Sequence, residues 1–125
     1  MNDPKIKSFT SLVGWKEAHK LVLMIYKSTA NFPESEKFGL CSQLQRAGVS
    51  ITSNIAEGFS RLSNKEKANF FYMSLGSLTE VQNQLLIARD LGYVTNELFK
   101  ELADQSVYVS KLLNGLIKSS SKLNT

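Results

Sequence analysis

Apolar residues recur at alternating three- and four-residue steps along four stretches of the chain, which predicts four amphipathic helices. The pattern is clearest between Glu36 and Arg61, where successive apolar side chains fall on one side of a helix turning about 100° per residue. That core stripe consists of Leu40, Leu44, Ala47, Ile51, Ile55 and Gly58. The first helix has Trp15, Ala18, Val22, Ile25, Thr29 and Phe32. The third has Phe70, Phe71, Leu75, Leu78, Val81, Leu85 and Ala88, and the fourth has Leu98, Leu102, Val109, Leu112, Leu113 and Leu116.

Proline and serine residues predict the ends of the first two helices. The first helix is expected to begin between Ser11 and Trp15 and to end at position 31 or 32, because Pro33 cannot continue it. Ser35 is expected to cap the N-terminus of the second helix, with Glu36 near its positive end. The second helix should then run to about Arg61.

The remaining helix ends are also marked by capping residues. Ser63 and Glu66 have the spacing of a capping box, in which the serine hydroxyl accepts from the glutamate amide, so the third helix should start here. Gly92 is expected to end it in a left-handed conformation, and Thr95 to cap the fourth helix. The predicted fold is an all-α, antiparallel up-down-up-down four-helix bundle over residues 11 to 118. Residues 1 to 10 are expected to form a mobile arm, and 119 to 125 a polar tail.

Two of the predicted helices carry a second apolar strip outside the core face. It contains Val49 and Ala56 on the second helix, and Met73 and Ile87 on the third. A monomer exposes little continuous apolar surface, so these strips predict contact between copies of the chain. Gly76 lies within the third helix, where glycine costs about 1 kcal/mol relative to alanine. We expect a close backbone approach to explain it.

Charged residues on the second and third helices need partners. Arg46 and Glu57 are separated by about 16 Å along one helix, so they do not bond to each other. Glu57 has Arg61 four residues later, a favourable spacing for an ion pair. For Arg46 we expect Glu80, either on the adjacent helix or in a neighbouring subunit. Ion pairs that define register or assembly are the favoured interpretation, and a catalytic polar pair is the alternative.

Positive charge is concentrated near the start of the chain. The net charge is +4, and the first 33 residues hold five lysines against Asp3 and Glu17. Lys16, Lys20 and Lys27 lie within about 40° of one another, opposite the core stripe of the first helix. We call them the basic line. A solvated polar face is the favoured interpretation, and contact with a polyanion is the alternative.

A second set of candidate phosphate contacts lies at the corner between the second and third helices. It consists of Arg61, Lys65 and Lys67, and the predicted arm adds Lys5 and Lys7. The aromatic residues mostly occupy predicted core positions, so we expect binding led by phosphate contacts, with little reading of base sequence.

The sequence contains few residues in arrangements that support catalysis or metal binding. One histidine, His19, and one cysteine, Cys41, do not make a zinc site, and position 16 is not the glutamate of a di-iron Glu-x-x-His motif. The glycines are scattered singly and form no phosphate loop. We predict no catalytic residue, no metal, no cofactor and no enzyme activity. Without a secretory signal or an apolar run approaching roughly 20 residues, the protein is expected in the cytoplasm rather than in a membrane.

The second helix also carries a recognisable motif. It comprises Gln43-Leu44-Gln45-Arg46-Ala47, Ser50-Ile51, and Ser53-Asn54-Ile55-Ala56-Glu57-Gly58-Phe59. The matching residues elsewhere are Trp15, Ala18, Ile25-Tyr26, Phe32-Pro33, Phe38-Gly39-Leu40, Gly76-Ser77-Leu78, Glu80 and Leu91-Gly92-Tyr93. Together they resemble the four-helix bundle family of bacterial 23S rRNA intervening-sequence proteins, over nearly the whole chain.

The resemblance implies an assembly and a class of partner. Similar proteins form ring-like pentamers, and one of them is the basic accessory variability determinant of diversity-generating retroelements, which associates with nucleic acid and a reverse transcriptase. The expected function is therefore a non-catalytic homo-oligomer, a pentamer by resemblance, that associates with structured RNA such as rRNA or with another nucleic acid. The alternative is a protein-interaction scaffold, or an accessory subunit of a reverse transcriptase, without direct nucleic-acid binding.

Overall fold

Four α-helices and two short 3-10 turns make up the computed structural model, which describes residues 9 to 123. The helices are α1 (Val13–Thr29), α2 (Leu40–Ser60), α3 (Asn64–Asp90) and α4 (Asn96–Leu123). The 3-10 turns are Phe9–Ser11 and Glu34–Glu36, and the described residues include no β-strand. The all-α prediction with four helices is confirmed. No described helix combines the length and apolar character needed to cross a membrane.

Successive helices run antiparallel. Near the connection between α1 and α2, the Cys41 thiol lies 3.6 Å from the carbonyl oxygen of Thr29. Further along, Gly48 of α2 faces Ile25, which lies earlier in α1. On the other side of the bundle, Gln82 of α3 donates to the Ser106 hydroxyl of α4 at 3.1 Å. Each helix therefore packs against its neighbours in sequence, and α4 returns to pack beside α1.

The core lies on the predicted stripes, with a few changes. Its large side chains with less than 2% exposure include Leu21, Ile25, Leu44, Ile51, Ile55, Leu78, Val81, Leu102, Val109 and Leu113. Leu21 is absent from the predicted stripe of α1, and it is buried because α1 packs against both α2 and α4. Phe70 and Leu112 were predicted in the core, but they are only partly buried.

The start of α2 differs from the prediction. Ser35 lies inside a 3-10 turn and does not cap a helix, and α2 begins at Leu40. The N-cap residue is Gly39, and the first amide of the helix is bonded by Glu36, whose Oε1 accepts a 3.1 Å hydrogen bond from Leu40 N–H. A carboxylate at a helix N-terminus also interacts favourably with the helix dipole, as the sequence predicted for this residue. The helix before it, α1, ends at Thr29, slightly earlier than predicted.

The predicted caps of α3 and α4 are confirmed. Ser63 Oγ accepts from the Glu66 amide at 3.1 Å, and Thr95 Oγ1 accepts from the Leu98 amide at 3.1 Å. Gly92 has a φ of 78°, which an L side chain rarely adopts.

The two ends of the chain are more helical than predicted. Helix α4 continues to Leu123, so the polar tail predicted from residue 119 is wrong over 119 to 123. Ser120 is buried, and it lines a cleft with Leu12 and Phe59, so tertiary contacts extend the last helix beyond its apolar stripe. Phe9, in the predicted arm, packs its ring 5.3 Å from that of Trp15. Residues 1 to 8, with Lys5 and Lys7, and residues 124 and 125 lie outside the described residues.

Glycine packing also corrects a prediction. A Cβ atom added at Gly76 would meet nothing within 4 Å, so the prediction of a close approach to this residue inside the bundle is wrong. The close approach occurs instead at Gly58 of α2. An added Cβ there would lie 2.8 Å from the Phe71 ring and 3.0 Å from Phe70. Gly76 is exposed because it lies on the outer side of α3.

Candidate functional site

The basic line occupies the solvent-facing side of α1. The side chains of Lys16, Lys20 and Lys27 are all exposed, and none forms a hydrogen bond or ion pair with another described residue. The nearby carboxylate of Glu17 is engaged with α4, where Gln105 Nε2 donates to its Oε1 at 3.0 Å. The three ammonium groups span about 16 Å along the helix axis. They therefore form a linear positive surface with no counter-ion among residues 9 to 123.

The corner residues have internal partners instead. Lys67 Nζ donates to the carbonyl oxygens of Phe59 at 2.6 Å and Gly58 at 3.5 Å near the end of α2. The Gly58 carbonyl also accepts from the Arg61 amide at 3.2 Å. Arg61 pairs with Glu57 at 3.2 Å, as predicted, and its guanidinium lies 4.6 Å above the Phe70 ring. Lys65 is exposed and has no such contact within the described part of the chain. Two of these three cations therefore hold α2 and α3 together.

A groove of about 280 Å³ runs between α2 and α3. It is lined by Gln43, Arg46, Ala47, Ser50, Ser77, Glu80 and Gln84. The structure thus brings Arg46 and Glu80 to one surface, but they form no ion pair with each other or with any other described residue. The predicted pair is not made within the chain, and both charged side chains remain exposed.

Small polar side chains join the two helices beneath the groove. The hydroxyls of Ser50 and Ser77 are 2.8 Å apart, and Asn54 Nδ2 donates to Ser50 Oγ at 3.1 Å. Ser74 Oγ donates to the carbonyl oxygen of Ile51 at 2.7 Å. Because these side chains are short, α2 and α3 approach closely, and their polar atoms remain satisfied.

Gln84 is the exception to this pairing. Its side chain is only 7% exposed, and its Oε1 has no hydrogen-bond partner among the described residues. An unpaired buried polar group typically costs about 1 to 3 kcal/mol. Sequence reasoning missed this residue, although it stands four positions after Glu80 on the same face of α3. The sequence signal for a buried polar group was a glutamine placed between the predicted core residues Val81 and Leu85.

The second apolar strips lie on the surface of the single chain. Val49 is 41% exposed, Met73 53% and Ile87 41%, and Gly76 leaves the α3 backbone open between the last two. Ala56 is partly buried. These residues flank the groove, since Val49 lies one turn from Arg46 on α2, and Met73 and Ile87 each lie two turns from Glu80 on α3.

Some aromatic residues are more exposed than the sequence predicts. Phe38 is 90% exposed, and Tyr26, Tyr72 and Tyr108 also lie on the surface. Tyr26 directly precedes Lys27 but lies about 100° around α1 from it, where it lines a cleft with Ser42 and Gln45 of α2. Stacking on such a ring contributes to binding of unpaired bases.

No convergent catalytic geometry occurs among residues 9 to 123. The His19 ring stacks on Trp15 at 4.7 Å between centroids, at the edge of the bundle. Burial raises the pKa of the Cys41 thiol, and the nearby charges of Glu36 and Glu34 raise it further, so the thiol stays protonated and unreactive. No group of three or more His, Cys, Asp or Glu side chains in this part of the chain is placed to hold a metal ion.

Comparisons with known proteins give the same architecture. A family model described as 23S rRNA-intervening sequence protein matches residues 10–115. Among solved structures, a protein of unknown function from the S23 ribosomal protein family of Bacteroides thetaiotaomicron VPI-5482 is similar, with a TM-score of 0.76 and 27% sequence identity. That match covers 85% of this chain and 99% of the other. No curated protein matches the chain.

Proposed function

Since the chain belongs to the 23S rRNA-intervening sequence protein family, we propose that it is a non-catalytic protein that binds structured RNA, such as rRNA, or another nucleic acid. The contact is made by the basic line of α1, repeated around a cytoplasmic homo-oligomer. A pentameric ring is what the resemblance implies. The family description itself names no partner, so this proposal depends on the surface chemistry of the bundle.

The observation that carries the proposal is that the basic line has no counter-ion among the described residues. Lys16, Lys20 and Lys27 point to solvent on one face of a single helix, whereas Arg61, Lys67, Arg89 and Lys100 are each bonded to another described group. Phosphate groups supply the missing negative charge and release condensed counter-ions on binding. Three lysines give only a weak site, and an oligomer presents several such sites to one RNA molecule, which raises avidity without new contacts.

The salt dependence of RNA binding tests the proposal. A fluorescently labelled, structured RNA fragment is titrated with the protein at a series of salt concentrations, and affinity is obtained from fluorescence anisotropy. The proposal expects log affinity to fall linearly with log salt, because each phosphate contact releases counter-ions. Absence of binding even at low salt would contradict it.

A protein-interaction scaffold, including an accessory subunit of a reverse transcriptase, is the second candidate function. It is favoured by the isolated apolar side chains at the helix connections, since Phe38 is 90% and Leu62 is 99% exposed. Exposed aromatic and aliphatic side chains of this kind are common anchors in protein interfaces. Under this alternative, the lysines of α1 only solubilise the protein, and RNA affinity is negligible at every salt concentration.

A further inference from the structure

We infer that the groove between α2 and α3 is completed by a second copy of this chain, whose Arg46 guanidinium binds Glu80. This inference rests on the proposed homo-oligomer and assigns the side chains that join its subunits. It is independent of whether the assembled protein binds RNA.

The α3 side of the groove presents a carboxylate without a partner. Glu80 and Gln84 lie four residues apart, so their side chains project from the same face of the helix. The amide oxygen of Gln84 is buried within the chain, so a second copy does not reach it. The Glu80 carboxylate is exposed, only accepts hydrogen bonds, and has no ion-pair partner in the described chain. The missing occupant is therefore a positively charged hydrogen-bond donor.

Arginine meets this requirement, and the chain itself supplies one. A guanidinium has five N–H donors in a planar fork, so it can bind both oxygens of a carboxylate together. Arg46 lies at the α2 side of the same groove, where it is exposed and makes no ion pair with any residue from 9 to 123. Each copy thus carries an unpaired cation on α2 and unpaired acceptors on α3.

This separation of charges suits a head-to-tail contact. When α2 of one subunit meets α3 of the next, Arg46 of the partner subunit faces Glu80, and the same contact repeats at every junction. A head-to-tail contact generates a closed ring when the rotation between subunits closes. An ion pair between Arg46 and Glu80 of the same chain would need no second copy, and the structure shows no such pair.

The surroundings of the groove are suited to exclude water from such a pair. Val49 beside the groove on α2, and Met73 and Ile87 beside it on α3, are exposed apolar side chains in the single chain. Gly76 lies one turn before Glu80 and presents bare backbone, so a neighbouring helix can approach closely. Covering these groups removes apolar surface from water and strengthens the ion pair by lowering the local dielectric constant.

Charge reversal tests the pairing between copies. The oligomer mass of the full chain is measured by size exclusion with light scattering for the unaltered protein, Arg46→Glu, Glu80→Arg and the double variant. Each single change places like charges together and is expected to raise the subunit dissociation constant at least tenfold. The double variant restores opposite charges and should recover the original mass. Mixing the two single variants should also give a larger mass than either alone, because their charges complement each other.

Three outcomes overturn the inference. The single charge variants keep the original mass, the double variant fails to recover it, or the mixture has no larger mass than either single variant alone.

An intramolecular pair would also overturn the inference, because charge reversal would then change the melting temperature but not the mass. An unaltered protein that is monomeric at tens of micromolar overturns both the inference and the proposed assembly. An oligomer insensitive to these changes overturns the inference alone. Circular dichroism of each variant, with Arg46→Gln and Glu80→Gln as milder changes, separates loss of assembly from loss of folding.

Discussion

The Tyr93 hydroxyl donates a 2.9 Å hydrogen bond to Oε2 of Glu36, across 57 residues of sequence. The other oxygen of the same carboxylate accepts from the Leu40 amide at the start of α2. The Tyr93 ring also packs 5.3 Å from that of Phe32, which follows α1. One carboxylate therefore connects the first turn of α2 to the segment between α3 and α4, at one end of the bundle.

Replacing Tyr93 by Phe should lower the melting temperature, because the ring remains but the hydrogen bond is lost. The bond to Glu36 raises the pKa of Tyr93 above its ordinary value, with smaller contributions from burial and from the charge of that carboxylate. The stabilisation is thus fully present below the unfolded-state pKa of about 10, and it is lost as pH rises through the higher folded-state pKa. Urea unfolding from about pH 8 to 11 should show a smaller alkaline loss for Tyr93→Phe. Tyr108→Phe, at an exposed tyrosine without a hydrogen bond among the described residues, is the control. Equal pH dependence in all three proteins would contradict the role of this bond.

Alanine should have opposite effects at two glycines. Gly76→Ala should raise the free energy of unfolding by about 0.5 to 1 kcal/mol, because the site is an open helix position where alanine is preferred. Gly58→Ala should lower it, because the new methyl group would collide with the buried Phe71 ring, and overpacking costs about 1 to 3 kcal/mol. Chemical denaturation of both variants, at a concentration where each is monomeric, measures the difference, since Gly76 also lies at the proposed contact between copies. A stabilised Gly58→Ala protein would show that this close contact relaxes easily.

The two lysines near the start of α3 should differ in their effect on stability. Lys67→Met removes the ammonium group that binds the last carbonyl groups of α2, so the free energy of unfolding should fall by about 0.3 to 1 kcal/mol. Lys65→Met removes a charge that contacts no other described residue, so its effect should be close to zero. Thermal unfolding by circular dichroism compares them directly. Equal destabilisation would argue against Lys67 as the cap of α2.

The basic line should control the salt dependence of RNA binding. Changing Lys16, Lys20 and Lys27 to Gln should leave folding nearly intact, because exposed charges contribute little to stability. Each lost phosphate contact should reduce the slope of log affinity against log salt by about 0.7 on single strands or about 0.9 on duplex DNA.

The matched control for that experiment is the triple change of Lys65, Lys111 and Lys118 to Gln. It removes the same net charge from other exposed positions. Anisotropy titrations of the two triple variants are compared at equal oligomer mass. If both variants lose the same slope, net charge rather than the surface of α1 determines binding. An unchanged slope for the first triple variant would exclude α1 as the RNA contact.

The four helices, most of their core residues and several of their caps are readable from the sequence alone. These features depend on short-range relations, such as the repeat of apolar residues every three or four positions and the reach of a serine hydroxyl to an amide three residues later. Thus Ser63, Gly92 and Thr95 all cap helices as predicted. The ion pair between Glu57 and Arg61 belongs to the same class, because both residues lie on one helix.

The tertiary structure alone decided which of these local options were used. Ser35 had suitable chemistry for a cap, but α2 begins later, at Leu40, whose amide is bonded by Glu36. The same carboxylate accepts from Tyr93, far away in sequence. Because glycine is unfavourable inside a helix, the sequence suggested that Gly76 is closely packed. The side chains that leave no room for a Cβ atom lie instead against Gly58.

The candidate site shows the same division. The sequence identified Arg46 and Glu80 as charges in need of partners, and it placed Lys16 on an outer face of α1. It did not reveal that Lys67 is used internally or that Gln84 is buried without a partner. The physical reason is that periodicity and charge describe one helix at a time. Burial and hydrogen bonding in the groove depend on how α2 and α3 are placed against each other.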